Sequence, residues 1–161
     1  MTWYHLSKKS ISEIYDVNCN RQSKTNKLKP SGFWLSKNSA WEEWINDNFE
    51  SLSSWDYKYK YKVTFKKNIN VLKISTFADL ENFTQKYGIE YEKTGEYFSA
   101  DWKKICEEYD GIFFENYEKI RGYLWDNNLT DIYIWYLSLD VSSACIFRPS
   151  RVISKLIQVP F

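Results

Sequence analysis

Residues 57–65 alternate without a break: Tyr57, Tyr59, Tyr61, Val63 and Phe65 against Lys58, Lys60, Lys62 and Thr64. A period of two marks a half-buried strand, with the aromatic and branched side chains toward the core and the lysines toward water. The next apolar run is 71–75, and the short Asn68-Ile69-Asn70 link predicts that the two strands pair as a hairpin. A helical period takes over at 77–87, where Phe77, Leu80, Phe83 and Tyr87 line one face. Ser75 or Thr76 supplies its cap and Gly88 stands just past its end. Ser39 and Glu42 form a capping-box pattern ahead of another helix, whose Trp41, Trp44 and Ile45 share a side. A third helix is expected over 100–109, capped by Ser99, with Trp102, Ile105, Cys106 and Tyr109 inward. Ser10 and Glu13 predict a short helical turn over 10–15.

Shorter apolar stretches predict strands at 2–6, 32–36, 111–114, 132–139, 143–147 and 152–159. Residues 18–31, rich in Asn, Ser and Lys and carrying Pro30, read as a mobile surface loop. Seven or eight strands and about three main helices do not alternate regularly, which disfavours a doubly wound parallel sheet. The expectation is a single α+β domain over 1–161 with curved, mostly antiparallel sheets.

Composition narrows the function classes. The chain has 161 residues, a length suited to one domain. Its 8 Trp, 13 Tyr and 10 Phe exclude intrinsic disorder. No apolar run reaches the roughly 18 residues of a membrane span, so no membrane partner is expected. The N-terminus shows no basic stretch followed by an apolar one, so no signal peptide is expected and a cytoplasmic location is. Lys plus Arg is 22 against 21 Asp plus Glu, too balanced for a dedicated DNA-binding domain. The excess of 18 Lys over 4 Arg speaks of an AT-rich coding genome, a matter of source and not of mechanism. Cys19, Cys106 and Cys145 are odd in number and widely spaced. They read as three free thiols in a reducing compartment. With a single His, no zinc or other metal site is expected.

No G-x-S-x-G elbow, phosphate-binding glycine loop, G-x-G-x-x-G or H-E-x-x-H pattern occurs. Cys106 and Cys145 fall on an apolar helix face and inside a strand, the positions of inert core thiols. His5, the one histidine, lies near the end of the first strand, where side chains commonly reach a cleft. A neutral imidazole there both donates and accepts hydrogen bonds.

Four stretches in order carry a resemblance: Tyr4-His5; Gly32-Phe33-Trp34-Leu35-Ser36; Tyr109-Asp110-Gly111-Ile112-Phe113; and Cys145-Ile146-Phe147-Arg148-Pro149-Ser150-Arg151-Val152-Ile153. This order resembles the small ADP-ribosyltransferase-like domains of bacteria, phages and viruses. The resemblance implies NAD as the cofactor, cleaved at the nicotinamide–ribose bond through an oxocarbenium-like state. It implies that His5 hydrogen-bonds a ribose hydroxyl and that Ser36 supports the nicotinamide-ribose pocket. Trp34, Trp41 or Trp44 would supply a stacking surface, although a Trp pair at helical spacing, such as Trp41 and Trp44, is more often core. The family usually places Glu at the start of its closing strand. Alignment on Phe147-Arg148-Pro149 puts Ser143 there, and Asp140 is the nearby carboxylate and the candidate catalytic group.

Three functions follow as expectations. The first is an NAD-dependent ADP-ribosyltransferase acting on a protein or nucleic acid, with His5 and Asp140 in the chemistry. The second is a non-catalytic binding or inhibitor protein of viral or phage type. The third, a single-strand nucleic-acid binder, is disfavoured because the balanced charge gives no electrostatic funnel.

Overall fold

The computed structural model describes residues 1–22, 28–49 and 55–161. Nine strands occur among them: β1 (Trp3–Ser7), β2 (Phe33–Lys37), β3 (Tyr59–Phe65), β4 (Val71–Ile74), β5 (Gly88–Glu90), β6 (Tyr97–Ala100), β7 (Gly111–Phe114), β8 (Ser143–Ile146) and β9 (Ile153–Val159). Seven form one sheet in the order β4-β7-β8-β2-β1-β3-β9, and β5 pairs with β6 apart from it. Every pairing is antiparallel except β4 with β7. The helices are α1 (Ala40–Asn48), α2 (Phe77–Tyr87), α3 (Trp102–Glu108), α4 (Tyr117–Asp126), α5 (Ile134–Leu137) and α6 (Pro149–Val152). The domain is α+β with a mostly antiparallel seven-stranded sheet, and six helices stand where about three were expected.

Register decides which side chains share a face. Tyr4 lies opposite Ser36, Ser36 opposite Ser143, and Trp34 and Ile112 both opposite Cys145. These residues share one face, where α2 to α5 close a large core around Trp102, Trp135, Phe114 and Leu80. Trp3 lies opposite Val63 and Leu35 opposite Ala144 on the other face, which carries a smaller cluster with Phe113, Ile146 and Val152. The alternation holds in β3 at Tyr61 and Val63, both buried, and at Lys62, exposed like Lys58 just before the strand. Lys60 departs from it. Its stem is half-buried, its Nζ lies 2.6 Å from Glu42 Oε1, and it stands over the Tyr4 ring.

Helix α2 starts where the pattern predicts. Thr76 and Asp79 form a reciprocal capping box, so two otherwise unpaired N–H groups find partners. At α1 the expected box is absent: the Ser39 hydroxyl bonds the Glu43 carboxylate, while Glu42 is taken by Lys60. The expected hairpin of β3 and β4 is also absent. β4 crosses to the far edge of the sheet and pairs in parallel with β7, Val71 opposite Gly111. The run at 132–139 forms α5 and turns, because packing Trp135 and Tyr136 into the main core overrides their strand preference. Residues 10–15 form no helix. They belong to a strap tied down by Ile11 N–H to the Tyr61 hydroxyl at 2.9 Å and Val17 N–H to Phe147 C=O at 2.7 Å. The third helix is shorter than expected and capped by Asp101, with Ser99 lying inside β6. Part of the expected mobile loop is ordered as a 3-10 turn at Cys19–Arg21, and residues 23–27 lie outside the described residues.

The expectation of three free thiols is overturned. Cys19 and Cys106 form a disulfide, and only Cys145 is free, buried in β8. Eighty-seven positions separate the pair; spacing along the chain carries no information about such a contact. The argument for a reducing compartment falls with it. Among the described residues no helix is long and apolar enough to cross a membrane.

Candidate functional site

The sheet is least complete between β1 and β2. β1 makes five registered pairs with β3 but only two with β2, Trp3 with Lys37 and Tyr4 with Ser36. Beyond Tyr4 the two strands part, and a cavity of about 330 Å³ opens at the fork. That volume is at the lower end for small-molecule sites. Its floor is Ser36 and Ser143, cross-strand neighbours on β2 and β8. Aromatic walls come from Trp34, Trp41, Tyr4 and Tyr57, and aliphatic ones from Leu139 and Val141. Lys29 is the one Asp, Glu, Lys or Arg among the described lining residues.

Ser143 is the distinctive group. It is 5% exposed, its Oγ has no hydrogen-bond partner, and it lines the cavity. A buried hydroxyl left unpaired costs about 1–3 kcal/mol; this Oγ has under 1 Å² of accessible surface, so a ligand atom would meet it only with a small shift of the floor. Ser36, 7% exposed, stands beside it and lines the same space.

The expected site residues are only partly brought together. Ser36, Trp34 and Trp41 share the cavity. Trp44 does not line it but stacks on the back of Trp41, centroids 4.8 Å apart and planes within 5°. His5 stands at the fork and borders this cavity and a second one. The pleat turns its ring to the face opposite Ser36, where it stacks on Phe33 at 4.1 Å. Its Nδ1 is 2.7 Å from Trp34 C=O. A carbonyl only accepts, so Nδ1 carries the proton and Nε2 the lone pair. Burial lowers the His5 pKa below 6.5, only partly opposed by that hydrogen bond, so the ring is neutral at pH 7.

Asp140 stands at the rim. Its neighbours Leu139 and Val141 line the cavity; its own carboxylate lies 3.6 Å from Lys29 Nζ. Its φ of 67° is left-handed, a conformation Asp and Asn tolerate better than most residues. Cys145 has its thiol pushed well up by complete burial and is inert.

The motifs that carry the family resemblance brace one another. Arg148 Nη1 donates to Cys106 C=O at 2.8 Å and Tyr109 C=O at 2.9 Å, and meets Asp110 at 3.2 Å. Arg151 also reaches Asp110, at 3.4 Å. Gly32 is required by crowding: a Cβ there would lie 2.5 Å from Cys145 Sγ and 2.9 Å from Ile146 C=O. None of these positions lines the cavity.

Sequence reasoning did not select Lys29, Tyr4 or Tyr57, and it met Ser143 only as the place where a carboxylate was expected. Lys29 sits in a polar loop that gives no sign of its target. The orphaned Ser143 hydroxyl exists only once β8 has been placed beside β2. Among the described residues no group of three His, Cys, Asp or Glu is arranged to hold a metal ion. The chain matches no family model, no curated protein and no solved structure.

Proposed function

We propose that the protein is an ADP-ribosyltransferase-like enzyme that uses NAD to modify a protein or nucleic-acid target. The observation that carries this reading is the pair Ser36 and Ser143, two buried hydroxyls on the floor of an aromatic-walled cavity, one of them unpaired. The residues fit the nicotinamide-ribose half of NAD: a flat ring for Trp34 or Trp41, polar edges for the two hydroxyls, and a diphosphate for Lys29 at the mouth.

When bound, NAD supplies a glycosidic bond that breaks with its electron pair leaving on nicotinamide, while a target nucleophile bonds ribose C1′ and releases its proton to solvent. The chain's part is orientation, exclusion of water and charge. Ser36 and Ser143 fix the polar edge of the ligand. Trp34, Trp41 and Leu139 keep the floor dry. Asp140, at the rim and paired with Lys29, would be the carboxylate nearest the positive charge that develops on the ribose. His5 on β1 ties the two strands across the fork through its bond to Trp34 C=O on β2.

The test is nicotinamide release from NAD in the presence of candidate acceptors. Asp140→Asn keeps shape and left-handed tolerance but loses charge, so turnover is expected to fall about 10²–10³-fold. Undiminished release by this variant removes Asp140 from the mechanism.

A second reading, a non-catalytic binding protein, has its own support. The Asp140 carboxylate is paired with Lys29 and does not line the cavity, and the His5 ring lies across the sheet from Ser36. NAD binding without nicotinamide release under any acceptor would select it.

A further inference from the structure

Beside the cavity lies an aromatic group that belongs to neither core. Trp41 and Trp44 stack face to face, and Trp55 meets both edge-on at 5.8 and 6.4 Å. Phe49, 42% exposed, packs on Trp44 and Trp55, while Tyr57 stacks on Trp55 at 6.3 Å. Trp41 and Tyr57 continue into the cavity wall, so the shelf and the pocket form one surface. Residues 50–54 lie outside the described residues.

Helix α1, which carries Trp41 and Trp44, presents acidic residues and no basic ones, and Lys29 at the cavity mouth is paired with Asp140. Lys58 is paired with Asp56, and Lys60 with Glu42, which leaves those four neutral as pairs. Glu43 and Asp47 remain, both exposed and one helical turn apart on α1. Among the described residues neither is in an ion pair. Asp47 is three residues on from Trp44 and so its neighbour on the helix surface; Glu43, whose carboxylate accepts from the Ser39 hydroxyl, lies one turn before Asp47. A nucleic acid would bring phosphates against these carboxylates. A guanidinium or ammonium group is complementary to both features at once: its charge to the carboxylates, and its face to the indole π-surface.

We propose that the Trp41–Trp44–Trp55 shelf, with Glu43 and Asp47, docks an arginine- or lysine-bearing segment of a protein partner at the mouth of the cavity. As the acceptor site of a transfer reaction the shelf rests on the reading above; as a binding surface it does not. Arg is the better fit, because its planar group stacks on indole while its N–H groups reach a carboxylate.

Binding is measured without NAD, by anisotropy of labelled peptides of alternating Gly and Arg, of alternating Gly and Glu, and of labelled oligo-dT. The Gly-Arg peptide is expected to bind and the other two not. Binding should weaken about tenfold in Trp44→Ala and again in the Glu43→Lys, Asp47→Lys double variant, and it should weaken with added salt. Circular dichroism checks that each variant is folded; the double variant changes only exposed helix positions, so it tests the proposal even where Trp44→Ala fails to fold. No binding of the Gly-Arg peptide, binding indifferent to the double variant, or tighter binding of oligo-dT that Trp44→Ala removes would each overturn it. Failure of NAD cleavage would leave this result standing, and the reverse also holds.

Discussion

The molecule has two tryptophan clusters, built from similar ring contacts and covered to different extents. Trp102 and Trp135 meet at 5.4 Å in a T-shaped contact, ringed by Phe83 and Phe114 and fully buried. Trp41, Trp44 and Trp55 make similar ring contacts but stay half-buried around α1. The first group is covered on the sheet face by α2 to α5; in the second, Trp41 lines the open fork and Trp44 and Trp55 pack beside it. Ring contacts alone therefore do not separate a buried cluster from a half-buried one. What separates them is whether the next layer of chain arrives, and among the described residues none covers the β1–β2 fork.

The largest expected effect tests the closed side. The Cys19–Cys106 bond ties the polar segment that leads to Lys29 and Pro30 onto α3. In the chain-entropy account a loop of this length is worth about 4–5 kcal/mol, so Cys106→Ser should lower unfolding free energy by that order in urea. An unchanged midpoint would show that the bond does not form in solution.

The next pair of variants sharpens the contrast directly. Trp135→Ala should cost about 3–5 kcal/mol, as expected for a fully buried large side chain. Trp44→Ala, at a half-buried site, should cost about 1 kcal/mol or less. Equal losses in thermal or urea melts would erase the distinction between the clusters.

How much of this was legible in the sequence depended on whether the signal was local. β3, β1, β2 and α2 could be read because alternation and capping are properties of neighbours. The strand expected at 132–139 failed because Trp135 and Tyr136 answer to the distant core. The β3–β4 hairpin failed because β4 found a better partner in β7, buried along its whole length. At the site, Ser36 and Trp34 were visible in their strand, whereas the orphaned hydroxyl of Ser143 is a product of pairing with β2. Lys29 and the disulfide are contacts across long separations, and residue type alone does not announce them.

A smaller effect is expected at Ser143. Removing a buried, unpaired hydroxyl should leave the folded protein equally stable or raise stability by about 1 kcal/mol in Ser143→Ala. A clear destabilisation would mean that the hydroxyl has a partner in solution and is not reserved for a ligand.

The smallest effect concerns pH. The folded His5 pKa is lowered by burial, so the unfolded chain takes up the proton more readily. The His5 contribution to stability is therefore complete above about pH 6.5 and is lost as pH falls through the lower folded value. His5→Gln should flatten the decline of stability on acidification in that window, and an unchanged slope would remove His5 as its source.

The central claim is that the floor of the fork is a nicotinamide-nucleotide site built on the Ser36–Ser143 pair. Calorimetric titration of NAD into the unmodified protein and into Ser143→Ala tests it most directly. The account predicts saturable binding to the unmodified protein, weakened about tenfold by the substitution while thermal stability holds or rises. No heat of binding with NAD, or equal affinity in the two proteins, would contradict it.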